Sequence, residues 1–115
     1  MLSRLETVSA EQPIEDVVQL LVAGRHEQLP MTSDGTLVGV VTRDDVATGL
    51  RESGPHALLG TAPRHDVVII TPSDTLGDVF HRLRAAPDAI GLVVDHGAPV
   101  GVLTYDHLVE YIEAA

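Results

Sequence analysis

The stretch Gly-Val-Val-Thr-Arg-Asp-Asp, Gly39 to Asp45, returns as Gly-Val-Leu-Thr-Tyr-Asp-His, Gly101 to His107. Extending outward, Val8 to Val46 lies over Ile70 to Leu108 at a constant offset of 62, without a gap. Ten positions are identical: Asp16/Asp78, Val17/Val79, Leu21/Leu83, Ala23/Ala85, Gly35/Gly97, Val38/Val100, Gly39/Gly101, Val40/Val102, Thr42/Thr104 and Asp44/Asp106. The chain is therefore a tandem repeat, and one copy predicts the other.

Each copy opens with a helical pattern. Ile14, Val17, Val18 and Leu21 fall at i, i+3, i+4 and i+7, and Leu76, Val79, Phe80 and Leu83 repeat the spacing. Pro13 suits the first helical position of one helix, and Ser73 or Asp74 suits the cap of the other. Gly24 and Ala86-Pro87 end them. Two apolar runs around a glycine turn follow in each copy and read as β-hairpins. They are Leu29 to Thr32 with Leu37 to Val41 around Ser33-Asp34-Gly35, and Ile90 to Val94 with Val100 to Leu103 around Asp95-His96-Gly97. A second helix starts near Asp44 and near Asp106, the latter with Leu108, Val109 and Ile112 as its buried stripe. Leu5 to Val8 and Val67 to Ile70 read as a leading strand.

The order is strand, helix, strand, strand, helix, given twice. The division is 1–50 for the first repeat, 51–65 for a linker holding Gly54, Pro55, Gly60 and Pro63, and 66–115 for the second. With 115 residues, the two copies must share a core, because half this length buries too little apolar surface alone. The fold class is mixed α/β (α+β), two β-α-β-β-α repeats packed with pseudo-twofold symmetry. Under the offset Met1 pairs with Pro63, which reads as a cut at a domain boundary.

Composition narrows function by exclusion. Seven Arg and no Lys against 17 acidic residues give a net charge of −10, the wrong sign for a polyanion partner, and 3% aromatic residues offer few stacking platforms. No nucleic-acid partner is expected. No cysteine is present, so thiolate chemistry, disulfides and Cys-type zinc sites are excluded, in keeping with a reducing, cytoplasmic location. No run approaches membrane-spanning length, and no direct membrane contact is expected of this segment. The six His are scattered, without helical ligand spacing, and read as surface residues. The neighbouring acids Asp44 and Asp45 read as a solvated helix start rather than a Mg²⁺ site, so no metal is expected. No nucleophile–base motif or phosphate-cradling loop is present, and no catalysis is expected.

The repeat unit, with Leu29-Pro30-Met31 and then Asp-Gly-x-Leu-Val-Gly-Val-Val-Thr-x-x-Asp from Asp34 to Asp45, resembles the cystathionine-β-synthase (CBS) domain. Two tandem copies resemble a Bateman module. The resemblance implies a cleft beside the Gly-h-h-Thr strand (h, hydrophobic) that holds an adenine nucleotide (ATP, ADP or AMP) or S-adenosylmethionine. Carried over by position, it implies adenine contacts from Leu29, Pro30 and Val40 and ribose contacts from Asp44 and Asp45. The Thr42 hydroxyl and free N–H groups at the helix start would meet phosphate. Arg25 and His26 lie where a basic group would approach the phosphates. The second copy keeps Thr104 and Asp106 but has His107 where the first has Asp45. One competent site is expected, and Asp45→Ala should abolish binding with little loss of fold. Thr42 and Asp45 also suit a helix N-cap, a role that fits both copies where the ligand role fits only the first.

The resemblance implies a regulatory, ligand-sensing module that forms a homodimer through its helices and signals to an effector domain or partner of unknown identity. Two other readings stay open. One is a ligand-free assembly module kept for its dimer interface. The other is a regulatory piece of a larger protein, because Val41 to Pro55 is similar to CBS pairs appended to site-2-type membrane metalloproteases.

Overall fold

The computed structural model describes residues 5–24 and 26–114. It divides into two units. The first spans Glu6–His65, and the second comprises Asp66 onward together with Leu5.

In the first unit, β1 (Val8–Ser9), α1 (Ile14–Gly24), β2 (Gln28–Ser33), β3 (Thr36–Thr42) and α2 (Arg43–Ser53) follow in order. The sheet order is β1-β2-β3. β1 runs parallel to β2, so the chain must cross over between them, and α1 is the crossover. β2 and β3 are an antiparallel hairpin closed by Asp34 (φ 51) and Gly35 (φ 77). Two successive positive φ angles give the turn whose twist matches the strands, and Asp-Gly tolerates them best. The expected strand from Leu5 to Val8 is corrected to Val8–Ser9. Leu5 instead donates its backbone N–H to Pro99 O at 2.8 Å, within the second unit, and so cannot extend β1.

α1 forms because Ile14, Val17 and Leu21 bury one stripe, with Glu15 and Asp16 at its positive end. Pro13 stands just before the helix, in a bridge with Leu58, rather than as its first residue. The start of α1 is completed by the 51–65 stretch. Ile14 N donates to Ala57 O at 2.9 Å and Glu15 N to Pro55 O at 3.0 Å, satisfying donors that a helix leaves open. A short 3-10 turn, Leu59–Thr61, then places Leu59 and Ala62 in the core with Met31, Val41 and Val46. Gly49 of α2 permits this, because a Cβ there would stand 2.7 Å from Ala62 Cβ. Much of the stretch read as a linker is thus packed structure of the first unit.

The second unit repeats the plan with β4 (Val67–Ile70), α3 (Leu76–Ala85), β5 (Ile90–Asp95), β6 (Ala98–Leu103) and α4 (Tyr105–Ala114), sheet order β4-β5-β6. His96 (φ 53) and Gly97 (φ 78) close its hairpin. The hairpins shift register at equivalent points, Met31/Thr32 and Val93/Val94. Ile70, Val79, Leu83 and Leu108 form the buried cluster, with Phe80 and Tyr105 packed on it.

Two expectations fail here. Thr75, not Ser73 or Asp74, caps α3, its Oγ1 accepting from Asp78 N at 3.1 Å. Thr75 directly precedes the helix, whereas Asp74 closes an earlier turn by accepting from Thr71 N at 2.9 Å. Leu76, placed by periodicity in the buried stripe, is 57% exposed. It is the first residue of α3, while Ile14, its counterpart, lies under the packed 55–62 stretch. The Ile112 side chain, expected in the stripe of α4, lies outside the described side chains.

Candidate functional site

The junction of β3 and α2 gathers the chemistry read from the sequence. Thr42 ends β3 with extended backbone (φ −102, ψ 170), and α2 begins at Arg43. Thr42 Oγ1 accepts from Asp45 N at 3.2 Å, and Asp45 Oδ2 accepts from Thr42 N at 3.0 Å. This reciprocal pair is a capping box, and it satisfies two backbone donors at once. The cap role of both residues is therefore realised.

The cap changes what the site offers a ligand. Of the first-turn amides, Arg43 N donates to Glu27 O at 3.2 Å and Asp45 N to Thr42 Oγ1. The expected row of free N–H groups is thus reduced to that of Asp44, the second helical position. The Thr42 hydroxyl proton stays available, since its oxygen is the acceptor in the cap. Asp45 commits Oδ2 and retains Oδ1.

The other expected residues divide between two faces of the hairpin. Leu29 pairs with Val41 and Pro30 with Val40, so each pair shares a face and the two pairs lie on opposite faces. Leu29 and Val41 belong to the helix-packed core, whereas Val40, 0% exposed, stands outside that cluster. Leu29 therefore does not converge with Pro30 and Val40. Asp44 and Asp45 diverge as well. Asp44 lines a groove of about 300 Å³ between α1 and α2, with Val18, Leu21, Val22, Ala47 and Leu50. Arg43 stands at that groove and donates through Nη2 to Leu21 O at 2.9 Å, a cation at the C-terminal end of α1. Its Nε is 3.3 Å from Glu27 Oε1.

Sequence reading missed His65. It pairs with β3 in both directions, Val40 N to His65 O at 3.1 Å and His65 N to Val40 O at 2.9 Å. The approach is close, for a Cβ on Gly39 would stand 2.9 Å from His65 O and from Arg64 Cδ. The imidazole Nε2 lies 3.3 Å from Asp45 Oδ2, with the Asp45 side chain 13% exposed. No local signal could have revealed this contact, because the partners are 20 positions apart and meet only through the bridge to Val40.

In the second unit, Thr104 Oγ1 accepts from His107 N at 3.1 Å, repeating half of the cap. Asp106 is exposed in the first turn of α4. Thr104 and Asp106 thus mark a separate helix start. Arg25 lies outside the described residues. Among the described residues, no three His, Asp or Glu gather as a metal site, and no helix is long and apolar enough to cross a membrane.

Two β-α-β-β-α units in tandem, each with Thr at the strand-to-helix junction, define a tandem-repeat α+β module. The CBS domain model matches residues 1–52 and 59–114, and the chain belongs to the CBS-domain family. CBS domains are regulatory modules, not catalytic ones.

An uncharacterized protein of Methanocaldococcus jannaschii is 28% identical over 105 residues, covering 90% of this chain. The chain spans 39% of that relative's length. Among solved structures, a hemolysin-like CBS protein of Oenococcus oeni has a TM-score of 0.74 at 20% identity, covering 95% of this chain and 84% of the other. The CBS domain of a membrane protein from Sphaerobacter thermophilus has a TM-score of 0.73 at 22% identity, covering 94% and 82%. The CBS domain of a bacterial CNNM/CorC-family Mg²⁺ transporter, in complex with ATP, has a TM-score of 0.70 at 18% identity, covering 97% and 83%.

Proposed function

We propose that this CBS pair is a nucleotide-responsive regulatory module with one adenosine site, at the β3–α2 junction of the first repeat. The observation that carries the reading is the asymmetry between the repeats: the first presents a carboxylate with a spare oxygen beside the Thr42 hydroxyl, where the second has His107. Asp45 Oδ1 would accept from a ribose hydroxyl, Thr42 would donate to the ligand, and Pro30 and Val40 would supply an apolar surface for adenine. An ATP complex of a CBS domain with the same fold supports the ligand class. The ligand is ATP, ADP or AMP, or S-adenosylmethionine. With a net charge of −10 and few free amides at the junction, adenosine recognition would contribute more than phosphate. The module would act in the cytoplasm, where these ligands occur, and pass its occupancy to an effector domain or partner. Occupancy regulates only by favouring one arrangement over another.

The test is thermal unfolding with millimolar ATP, ADP, AMP and S-adenosylmethionine, since a ligand that binds only the folded state raises its stability. A rise with one of them, lost in Asp45→Asn, is expected. No rise with any of the four refutes the site.

A second reading, self-association through the helices, is favoured by the α1–α2 groove, beside which Val22 is 73% exposed. Sedimentation should show a homodimer that Val22→Glu dissociates. A monomer at all concentrations refutes it.

A further inference from the structure

We infer that His65 is a positioning residue for the ligand site: its imidazole fixes the Asp45 carboxylate so that the oxygen not used by the helix cap is presented to ribose. The inference rests on the proposed adenosine site and adds a specificity-determining residue to it.

The backbone sets the ring in place. β3 ends the sheet order β1-β2-β3, and the chain at His65 pairs with its outer edge, Val40 N donating to His65 O at 3.1 Å and His65 N to Val40 O at 2.9 Å. Residues paired across an antiparallel bridge turn their side chains to one face. His65 therefore shares the face of Val40 and Pro30, the apolar pair proposed for adenine, and not that of Leu29 and Val41. Its Nε2 stands 3.3 Å from Asp45 Oδ2. The imidazole thus lies both on the proposed ligand face and at the carboxylate.

The carboxylate shows what the ring does there. Thr42 N donates to Oδ2 at 3.0 Å. One donor holds one oxygen, but the last torsion of an Asp side chain is broad, so the plane of the group can still turn. An ionised carboxylate only accepts, so Nε2 faces it as an N–H, and a second donor at the same oxygen narrows that rotation. Both donors stand at Oδ2, which leaves the accepting capacity of Oδ1 to a ligand hydroxyl. A ribose then meets an acceptor already oriented, and the ordering that binding would otherwise cost is reduced.

The test is calorimetric titration of the full chain with ATP, ADP, AMP and S-adenosylmethionine, each ligand that binds then being compared with its 2′-deoxy and 3′-deoxy forms. The parent should prefer the ribose form over at least one deoxy form. His65→Ala should weaken binding of the ribose form about three- to tenfold, the contribution of one such contact, and leave that deoxy form nearly unchanged. The preference for ribose then shrinks by the same factor. His65→Gln, whose side-chain N–H can stand where the imidazole N–H stands, should keep most of the preference. His65→Asn, too short to reach, is a second vacating variant should His65→Ala fail to fold. A merely structural tether would weaken ribose and deoxy forms alike and leave their ratio unchanged. If the parent prefers ribose and the vacating variants keep that preference, the positioning role is overturned and the site stands. If the parent binds none of the four, or binds without preferring ribose, site and positioning role fall together.

Discussion

Asp45→Ala is the substitution on which the two roles of this residue separate. It removes the acceptor of the Thr42 N–H, leaving a partly buried donor unpaired, and takes a negative charge from the first turn of α2. Loss of a cap interaction costs about 1 kcal/mol, and the first-turn charge adds about 0.3 to 1 kcal/mol. The sum is a destabilisation of about 1.3 to 2 kcal/mol, or roughly 5 to 10 °C in Tm at this chain length. The sequence led to the expectation of little loss of fold, which the capping box now revises. Asp45→Asn keeps an acceptor and loses only the charge, so about 0.3 to 1 kcal/mol should go. Asp45→Glu restores the Thr-x-x-Glu box and should stay within about 0.5 kcal/mol of the parent. Urea unfolding followed by circular dichroism suits the assay, since the chain has no Trp. Combining Thr42→Ala with Asp45→Ala should cost less than the sum of the two, because both break the same reciprocal pair. Equal stability of Asp45→Ala and Asp45→Glu, or strict additivity in the cycle, would refute the capping argument.

Three further outcomes are expected. His107→Asp should complete the box that Thr104 half-forms at the start of α4 and raise stability by about 0.5 to 1 kcal/mol in the same urea assay. Leu59→Ala, at a position 0% exposed in the first core, should cost about 2 to 5 kcal/mol. A cost below about 1 kcal/mol, as for an exposed site, would show that the 51–65 stretch does not pack as described. Asp74 titrates below the usual carboxylate range, chiefly because the Thr71 backbone N–H donates to it, with the Thr71 hydroxyl and Arg82 assisting against partial desolvation. A lowered pKa in the fold means its stabilisation is full above about pH 3.9, the unfolded value, and is lost as pH falls through the folded value. Asp74→Asn should therefore flatten the acid limb of stability against pH, and an unchanged limb would contradict the assignment.

Several elements were legible because their causes are local. Both hairpins could be read from Asp34-Gly35 and His96-Gly97, since the turn depends on two adjacent residues that accept positive φ. α1 and α3 could be read from apolar spacing, and β4 was placed at its observed bounds. What the pattern could not show was Thr75 taking the cap from Asp74, because the competing turn at Thr71 is settled by which acceptor each amide reaches first. It also could not show Leu76 exposed, since periodicity assigns a face and not its cover.

The candidate site divides along the same line. The duplication, the family, the Thr42-x-x-Asp45 junction and its loss at His107 could all be read from the chain, for these are identities at fixed spacing along it. Tertiary contacts were needed to set the register that places Val40 opposite Pro30 rather than Leu29, to give Asp44 and Asp45 different surroundings, and to show that 51–65 caps and fills the first unit. They alone brought His65 to Asp45. The physical reason is range: turns, caps and amphipathic stripes arise within a few residues, whereas the occupancy of a carboxylate depends on which distant backbone the sheet edge accepts beside it.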